Sequence, residues 1–188
     1  ESVAGAPRET LVPQLGGPLP ADVRPSLAEV RDDYVRTYRE GCHMSPTQTR
    51  LDPCIYGATD APRAVALFGD SHANQWFPAL ERVATARGWR LLARTKSACD
   101  VPVWNYYLKR AYPECDAWRA AVLDDLATQR PALVVVAGAR TAAVMADGVV
   151  LQGAARERAW AEGLERTVRR LQALGATVVL LGDTPRPT

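Results

Sequence analysis

The sequence lacks a long apolar run, an excess of either charge and an apolar signal core near its amino terminus. No segment approaches the roughly 18 consecutive apolar residues that a membrane helix requires, so we expect any export signal or anchor to lie outside the printed sequence. The 23 basic and 21 acidic residues give a net charge of +2 and are scattered along the chain. This balance indicates no nucleic-acid partner.

Histidine is scarce as well, because His43 and His72 are the only two in the sequence. Asp70 and His72 have the spacing of the first motif in binuclear phosphoesterases, but no Gly-Asn-His segment follows any later predicted strand. A site of that kind needs several further carboxylate, Asn and His ligands. We therefore predict no metal site.

The composition predicts one globular domain with an amino-terminal tail. A chain of 188 residues that is 47% hydrophobic can bury one substantial core. Residues 1–25 are rich in Pro and Gly and lack periodicity, which predicts a linker or extension from an upstream membrane domain. From Ser26 the apolar spacing predicts a short helix that ends at Gly41. The predicted domain covers residues 26–188.

The four cysteines, Cys42, Cys54, Cys99 and Cys115, fall into two close pairs along the sequence. Such pairs favour two disulfides and an oxidising compartment. The alternatives are free buried cysteines in a cytosolic protein and a metal site, although the spacings are not CxxC-like. The sequence alone leaves three connectivities open.

Alternating apolar runs and helical segments predict the fold class. Four apolar runs of strand length cover residues 64–70, 89–95, 132–138 and 176–183. The helical segments between them cover residues 74–87, 115–129 and 154–174. Nearly continuous apolar runs are typical of strands buried on both faces of a parallel sheet. The pattern predicts a three-layer α/β/α sandwich with a parallel, flavodoxin-like sheet.

Polar residues follow three predicted strands at their carboxyl ends, where open parallel sheets bind ligands. These residues are Gly69-Asp70-Ser71-His72, Gly138-Ala139-Arg140 and Gly182-Asp183. Gly69 would permit a sharp turn that presents Ser71 as a nucleophile, with backbone N–H groups facing an oxyanion. The competing interpretation is that Asp70 and Ser71 only cap the next helix, and the tetrapeptide alone favours it. Asp183 is interpreted as a turn or capping residue.

Several segments together resemble a known family. They are "LFGDSHANQWFPALERVATARGW" (67–89), "GCH" (41–43), "CIYG" (54–57), "TKSAC" (95–99) and "LLGDTPRP" (180–187). From about Gly41 to its end, the chain resembles the SGNH-hydrolase-like domain fused to the carboxyl terminus of bacterial acyltransferase-3 membrane proteins. The resemblance implies an SGNH hydrolase fold in an extracytoplasmic, membrane-tethered domain. Such a domain carries an acyl group, usually acetyl, from a donor to hydroxyls of cell-envelope glycans.

The same resemblance assigns roles to individual residues. Ser71 matches the family nucleophile, and no metal or organic cofactor is implied. The cysteine positions imply the bridges Cys42–Cys54 and Cys99–Cys115.

The sequence also departs from the family pattern. No Asp-x-x-His segment follows the last predicted strand before Thr188, so we expect the catalytic Asp and His to lie beyond this chain. Residues 138–141 read GART where a GxND segment is expected, which makes Arg140 a candidate oxyanion contact. Two alternatives stay open, a catalytically silent glycan-binding or docking module and a simple acetyl esterase.

Candidate substrate contacts have weaker signals. The candidates are His72, Lys96, Ser97 and Trp104. Trp104 lies between Cys99 and Cys115, where an aromatic ring could stack on a sugar or pack over the sheet edge. Lys96 ends the second predicted strand, and a lysine there is usually solvated. Neither His43 nor His72 is favoured as the base over a downstream histidine.

Overall fold

A computed structural model describes residues 22–102, 105–107, 110–139, 143–146 and 148–184, without the side chains of 105–107. The chain divides into two units, Glu1–Tyr34 and Val35–Thr188. All helices and strands of the described residues belong to the second unit. No helix among them is long and apolar enough to cross a membrane.

The secondary structure follows the predicted alternation closely. The strands are β1 (His43–Met44), β2 (Ile55–Gly57), β3 (Ala64–Gly69), β4 (Arg90–Lys96), β5 (Asn105–Tyr107), β6 (Arg110–Ala111), β7 (Leu133–Ala137), β8 (Ala143–Ala146), β9 (Val149–Val150) and β10 (Thr177–Leu180). The helices are α1 (Arg36–Arg39), α2 (Ser71–Asn74), α3 (Phe77–Arg87), α4 (Pro113–Gln129) and α5 (Gly153–Ala173). The helix predicted over 74–87 is interrupted, because Pro78 has no N–H to bond to the carbonyl of Asn74.

The helix predicted from Ser26 is wrong over most of its length. Residues 22–32 form turns and bends, and only the four residues of α1 are helical. Leu27 and Val30, two of the apolar residues whose spacing predicts this helix, are 72% and 52% exposed. A short helix without a buried face is marginal in water, which accounts for the turns. The linker predicted over 1–25 stays a prediction, because residues 1–21 lie outside the described residues.

A six-stranded sheet has the order β1-β4-β3-β7-β10, with β2 paired to β4. The five strands of this order run parallel, whereas β2 is antiparallel to β4. β3, β4 and β7 are buried along nearly their whole length, as the apolar runs predict. Gly69 lies beside Thr95 on one side and Ala137 on the other, so the carboxyl ends of these three strands lie level.

The last strand, β10, differs from the prediction of a strand buried on both faces. Three of its four residues are exposed, including Val179 and Leu180. Among the described strands it pairs with β7 alone, and an edge strand has fewer neighbours to bury it.

Helices cover both faces of the sheet. α3 packs against β2, β3 and β4. On α4, the Trp118 ring centroid lies 6.0 Å from that of Phe68 on β3. An ion pair of 2.9 Å between Arg170 and Asp124 joins α5 to α4. Right-handed crossovers place α3 on one face and the other two on the opposite face, which gives the predicted three layers.

The sequence pattern does not predict a second, antiparallel sheet of order β6-β5-β8-β9. β5 and β6 lie between Cys99 and Cys115, and β8 and β9 follow β7. Each of these strands has only two to four residues, too few to produce a recognisable alternation.

Two disulfides, Cys42–Cys54 and Cys99–Cys115, have Cα atoms 5.6 Å and 5.4 Å apart. They confirm the pairing that the family resemblance implies. The second bridge ties the loop after β4 to the first turn of α4, so it holds a loop at the carboxyl edge of the sheet.

Candidate functional site

Gly69 makes the turn at the end of β3. Its φ of +155° lies where residues with a side chain rarely occur. A Cβ built on it would lie 1.8 Å from the carbonyl oxygen of Ala137 and 2.8 Å from Cβ of Ala73. The turn can therefore pass this close to β7 and α2 only because residue 69 is glycine.

Asp70 is the N-cap of α2 and is only 2% exposed. Its Oδ1 accepts hydrogen bonds from the backbone N–H of His72, at 2.8 Å, and of Ala73, at 3.4 Å. Its Oδ2 accepts one from the N–H of Ala139, at 2.9 Å, just after β7. Asp70 is thus a capping residue, and it also ties the β3 turn to the loop after β7.

Ser71 is the first residue of α2, and its side chain is partly exposed. Asp70 occupies the next two N–H groups of the helix, but nothing in the described part of the chain accepts a hydrogen bond from the N–H of Ser71. The hydroxyl group likewise has no hydrogen-bond partner there. Ser71 therefore presents a hydroxyl and a backbone donor side by side at the sheet edge.

His72 and Asp183 meet across the sheet edge, although they are 111 residues apart in sequence. Nδ1 of His72 lies 2.5 Å from Oδ1 of Asp183, and the two side chains are 34% and 11% exposed. The interpretation of Asp183 as a turn residue misses this contact. The sequence does hold one signal for this contact, the position of Asp183 after the last predicted strand. The carboxyl ends of parallel strands lie at the same edge of a sheet.

Asp100 is a buried acid that the sequence analysis missed. Its Oδ2 accepts a hydrogen bond of 2.8 Å from Nε1 of Trp160, and its Oδ1 packs against Gly138, where a Cβ would lie 2.1 Å away. Burial, with a smaller contribution from the charge of Asp70, raises the pKa of Asp100 to about 7, against the hydrogen bond from Trp160. No pattern in the sequence distinguishes this aspartate from a loop residue.

His43 belongs to a buried hydrogen-bond network near the same edge. Thr95 donates to Oδ1 of Asn74, so its Oγ1 accepts from Nδ1 of His43 at 2.9 Å. The Nε2 atom is left to accept from Oγ of Ser97 at 3.1 Å. Burial lowers the pKa of His43 to about 4, with a smaller contribution from the charge of Lys96. Ser97 therefore already has a partner, and its role as a substrate contact stays a prediction.

The expectation that Lys96 is solvated is wrong. Lys96 is fully buried, and its Nζ donates to the carbonyl oxygens of Ser45, Pro46 and Gln48. Burial lowers the pKa of Lys96 to about 8, against a raising effect of Glu114. Because three carbonyls take all three ammonium hydrogens, this arrangement disfavours Lys96 as a substrate contact.

Two predicted contacts, Trp104 and Arg140, lie outside the described residues. Within the part of the chain that the structure describes, no three His, Cys, Asp or Glu side chains are grouped to hold a metal ion. Among the described residues, the candidate site comprises Gly69, Asp70, Ser71 and the His72–Asp183 pair.

Comparisons with known proteins agree with this architecture. The sequence family described as "SGNH domain (fused to AT3 domains)" matches residues 41–188. No curated protein is similar enough to this chain to count as a match. A solved structure, the periplasmic domain of a lipopolysaccharide acetyltransferase from Salmonella ser. Paratyphi A, superposes with a TM-score of 0.51 at 12% identity. The similarity covers 78% of this chain and 48% of that chain, and at this identity it shows the fold alone.

Proposed function

Because this chain belongs to the SGNH domains of the family fused to AT3 domains, we propose that it transfers acyl groups, and acetyl in particular, to hydroxyls of cell-envelope glycans. The placement of Ser71 carries the proposal. A partly exposed hydroxyl follows a buried strand and a glycine turn, and the buried carboxylate of Asp70 fixes the backbone around it.

In this mechanism Oγ of Ser71 attacks the carbonyl carbon of an acyl donor, and the donor's leaving group departs. The hydroxyl proton passes to a general base, which the resemblance to SGNH enzymes assigns to a later Asp-x-x-His segment. The N–H of Ser71 donates to the oxyanion that forms. The base gives the hydroxyl proton to the departing group. A glycan hydroxyl then attacks the acyl-enzyme, loses its own proton to the base and takes the acyl group, and the base returns the proton to Oγ of Ser71. Water in place of the glycan gives hydrolysis.

Location and partners follow from the same proposal. The two disulfides support an oxidising, extracytoplasmic compartment. The solved structure of similar fold is described as a periplasmic domain of a lipopolysaccharide acetyltransferase. An AT3 membrane domain in the same polypeptide would supply the acyl donor and tether the domain to the membrane.

Mutation of Ser71 in the full protein, in the cells that make it, tests the proposal. Ser71→Ala should abolish the base-labile acetyl groups on the envelope glycan, measured by acetate release. Thr85→Ala removes an exposed hydroxyl from α3 and should leave acetylation unchanged. Equal protein levels of both variants control for folding, and wild-type acetylation in the Ser71 variant would show that the serine is not the nucleophile.

A catalytically silent glycan-binding module is the second candidate. It is favoured by the absence of any imidazole hydrogen-bonded to Oγ of Ser71 among the described residues. On this account Ser71→Ala leaves both glycan binding and glycan acetylation unchanged, which separates it from the transferase.

A further inference from the structure

The His72–Asp183 pair has a defined hydrogen-bond polarity. A carboxylate can only accept, so Nδ1 of His72 carries the hydrogen in their 2.5 Å contact. In the tautomer with its hydrogen on Nδ1, Nε2 carries no hydrogen and accepts hydrogen bonds. No group in the described residues donates to Nε2, and the imidazole is 34% exposed. The pair thus offers an acceptor to a hydroxyl that arrives from solvent, on the residue that follows Ser71 in the chain.

A cavity of about 180 Å³ adjoins this pair, and Asp183 forms part of its wall together with Gly138 and Trp160. The remaining walls are largely apolar. They include Val136, Leu164, Leu180 and Leu181. The hydrogen bond from Nε1 of Trp160 to Asp100 fixes the indole ring in place. The cavity therefore combines a fixed aromatic wall with the carboxylate of Asp183, which in turn contacts the imidazole of His72.

This combination matches the chemistry of a sugar ring. An indole packs against the C–H face of such a ring, and the polar pair binds its hydroxyl groups. We propose that this cavity and the His72–Asp183 pair form the subsite for the sugar that accepts the acyl group, which rests on the proposed transferase function. Nε2 of His72 accepts the hydrogen bond of the sugar hydroxyl and holds that hydroxyl beside Ser71.

Nuclear magnetic resonance of the imidazole nitrogens tests the subsite directly, because the chain has only two histidines. The probes are the methyl glycosides of glucose, galactose, mannose and N-acetylglucosamine. Their fully O-methylated derivatives, which have no hydroxyl hydrogens, are the controls. At least one sugar should shift the Nε2 signal of His72 and leave the signals of His43 in place, and its O-methylated form should not.

Variants then test whether the sugar binds in the cavity or elsewhere on the protein surface. Trp160→Leu and Asp183→Ala should each weaken sugar binding by about fivefold or more. Trp89→Ala, next to the amino end of β4, should not change it. Native His43 signals show that each variant is folded. No response of His72 to any of the four sugars, or unchanged affinity in both cavity variants, overturns the subsite.

The outcomes distinguish this subsite from the proposed function. Ser71-dependent acetylation without a sugar response at His72 would leave the transferase standing and remove the subsite. Sugar binding at His72 together with acetylation that survives Ser71→Ala would remove the proposed transferase. The cavity would then be the sugar site of a binding module.

Discussion

The carboxylate of Asp70 accepts a hydrogen bond from the backbone N–H of Ala139, 2.9 Å away and 69 residues later in the sequence. The same side chain caps the helix that begins at Ser71. One buried carboxylate therefore fixes the distance between the Ser71 turn and the loop after β7. Four predictions concern this arrangement and the groups around it.

Gly69→Ala should lower the free energy of unfolding by about 3 kcal/mol or more, because the new Cβ would overlap the carbonyl of Ala137. Gly182→Ala is the matched control, since a Cβ there meets open space and should change stability by less than about 0.5 kcal/mol. Urea denaturation measures both. Equal stability of the two variants would contradict the close approach of β3 and β7.

Asp70→Ala should lower the free energy of unfolding by about 2–4 kcal/mol, because three backbone N–H groups lose their acceptor. Asp70→Asn should cost less, since its amide oxygen still accepts. Asp60 is an exposed turn residue, and Asp60→Ala should stay within about 0.5 kcal/mol of the wild type. An unchanged free energy of unfolding in Asp70→Ala would show that the carboxylate does not hold the turn.

Stability should fall as pH rises through the titration of Asp100. Burial raises its folded-state pKa from 3.8 to about 7, with Asp70 adding to the rise and Arg119 opposing it. The folded chain keeps a proton that the unfolded chain releases, so this stabilisation is full below about pH 4 and lost by about pH 7. Asp100→Asn removes the titration and keeps an oxygen for Trp160.

The measurement compares free energies of unfolding at about pH 5 and about pH 8. From the lower to the higher pH, the free energy of unfolding of the wild type should fall by about 2–4 kcal/mol more than that of Asp100→Asn. Asp60→Asn should follow the wild-type profile. Parallel profiles for Asp100→Asn and the wild type would exclude a buried acid that titrates near neutrality.

Replacing Cys99 and Cys115 together by serine should lower the free energy of unfolding by about 3 kcal/mol, the value expected for a closed loop of this length. Thermal or urea unfolding measures the loss. Peptide mapping without reductant should recover Cys99–Cys115 and Cys42–Cys54 as linked peptides. Four free thiols in protein made in an oxidising compartment would contradict the extracytoplasmic location.

The sequence by itself determined what depends on local pattern. The apolar runs place β3, β4 and β7 because strands buried on both faces have no polar positions. The Gly69-Asp70 pair indicates a turn and a cap because each residue type suits that backbone. The same local logic fails for the helix predicted from Ser26, since apolar spacing does not supply a surface to bury Leu27.

Only the tertiary structure decided which distant groups meet and which charges leave water. The contact of His72 with Asp183, the burial of Asp100 under Trp160 and the three carbonyls around Lys96 all join segments far apart in sequence. β10 has an apolar sequence yet is exposed in the described part of the chain, where only β7 pairs with it. Desolvation and long-range hydrogen bonds depend on packing in three dimensions, and an isolated sequence motif carries no record of them.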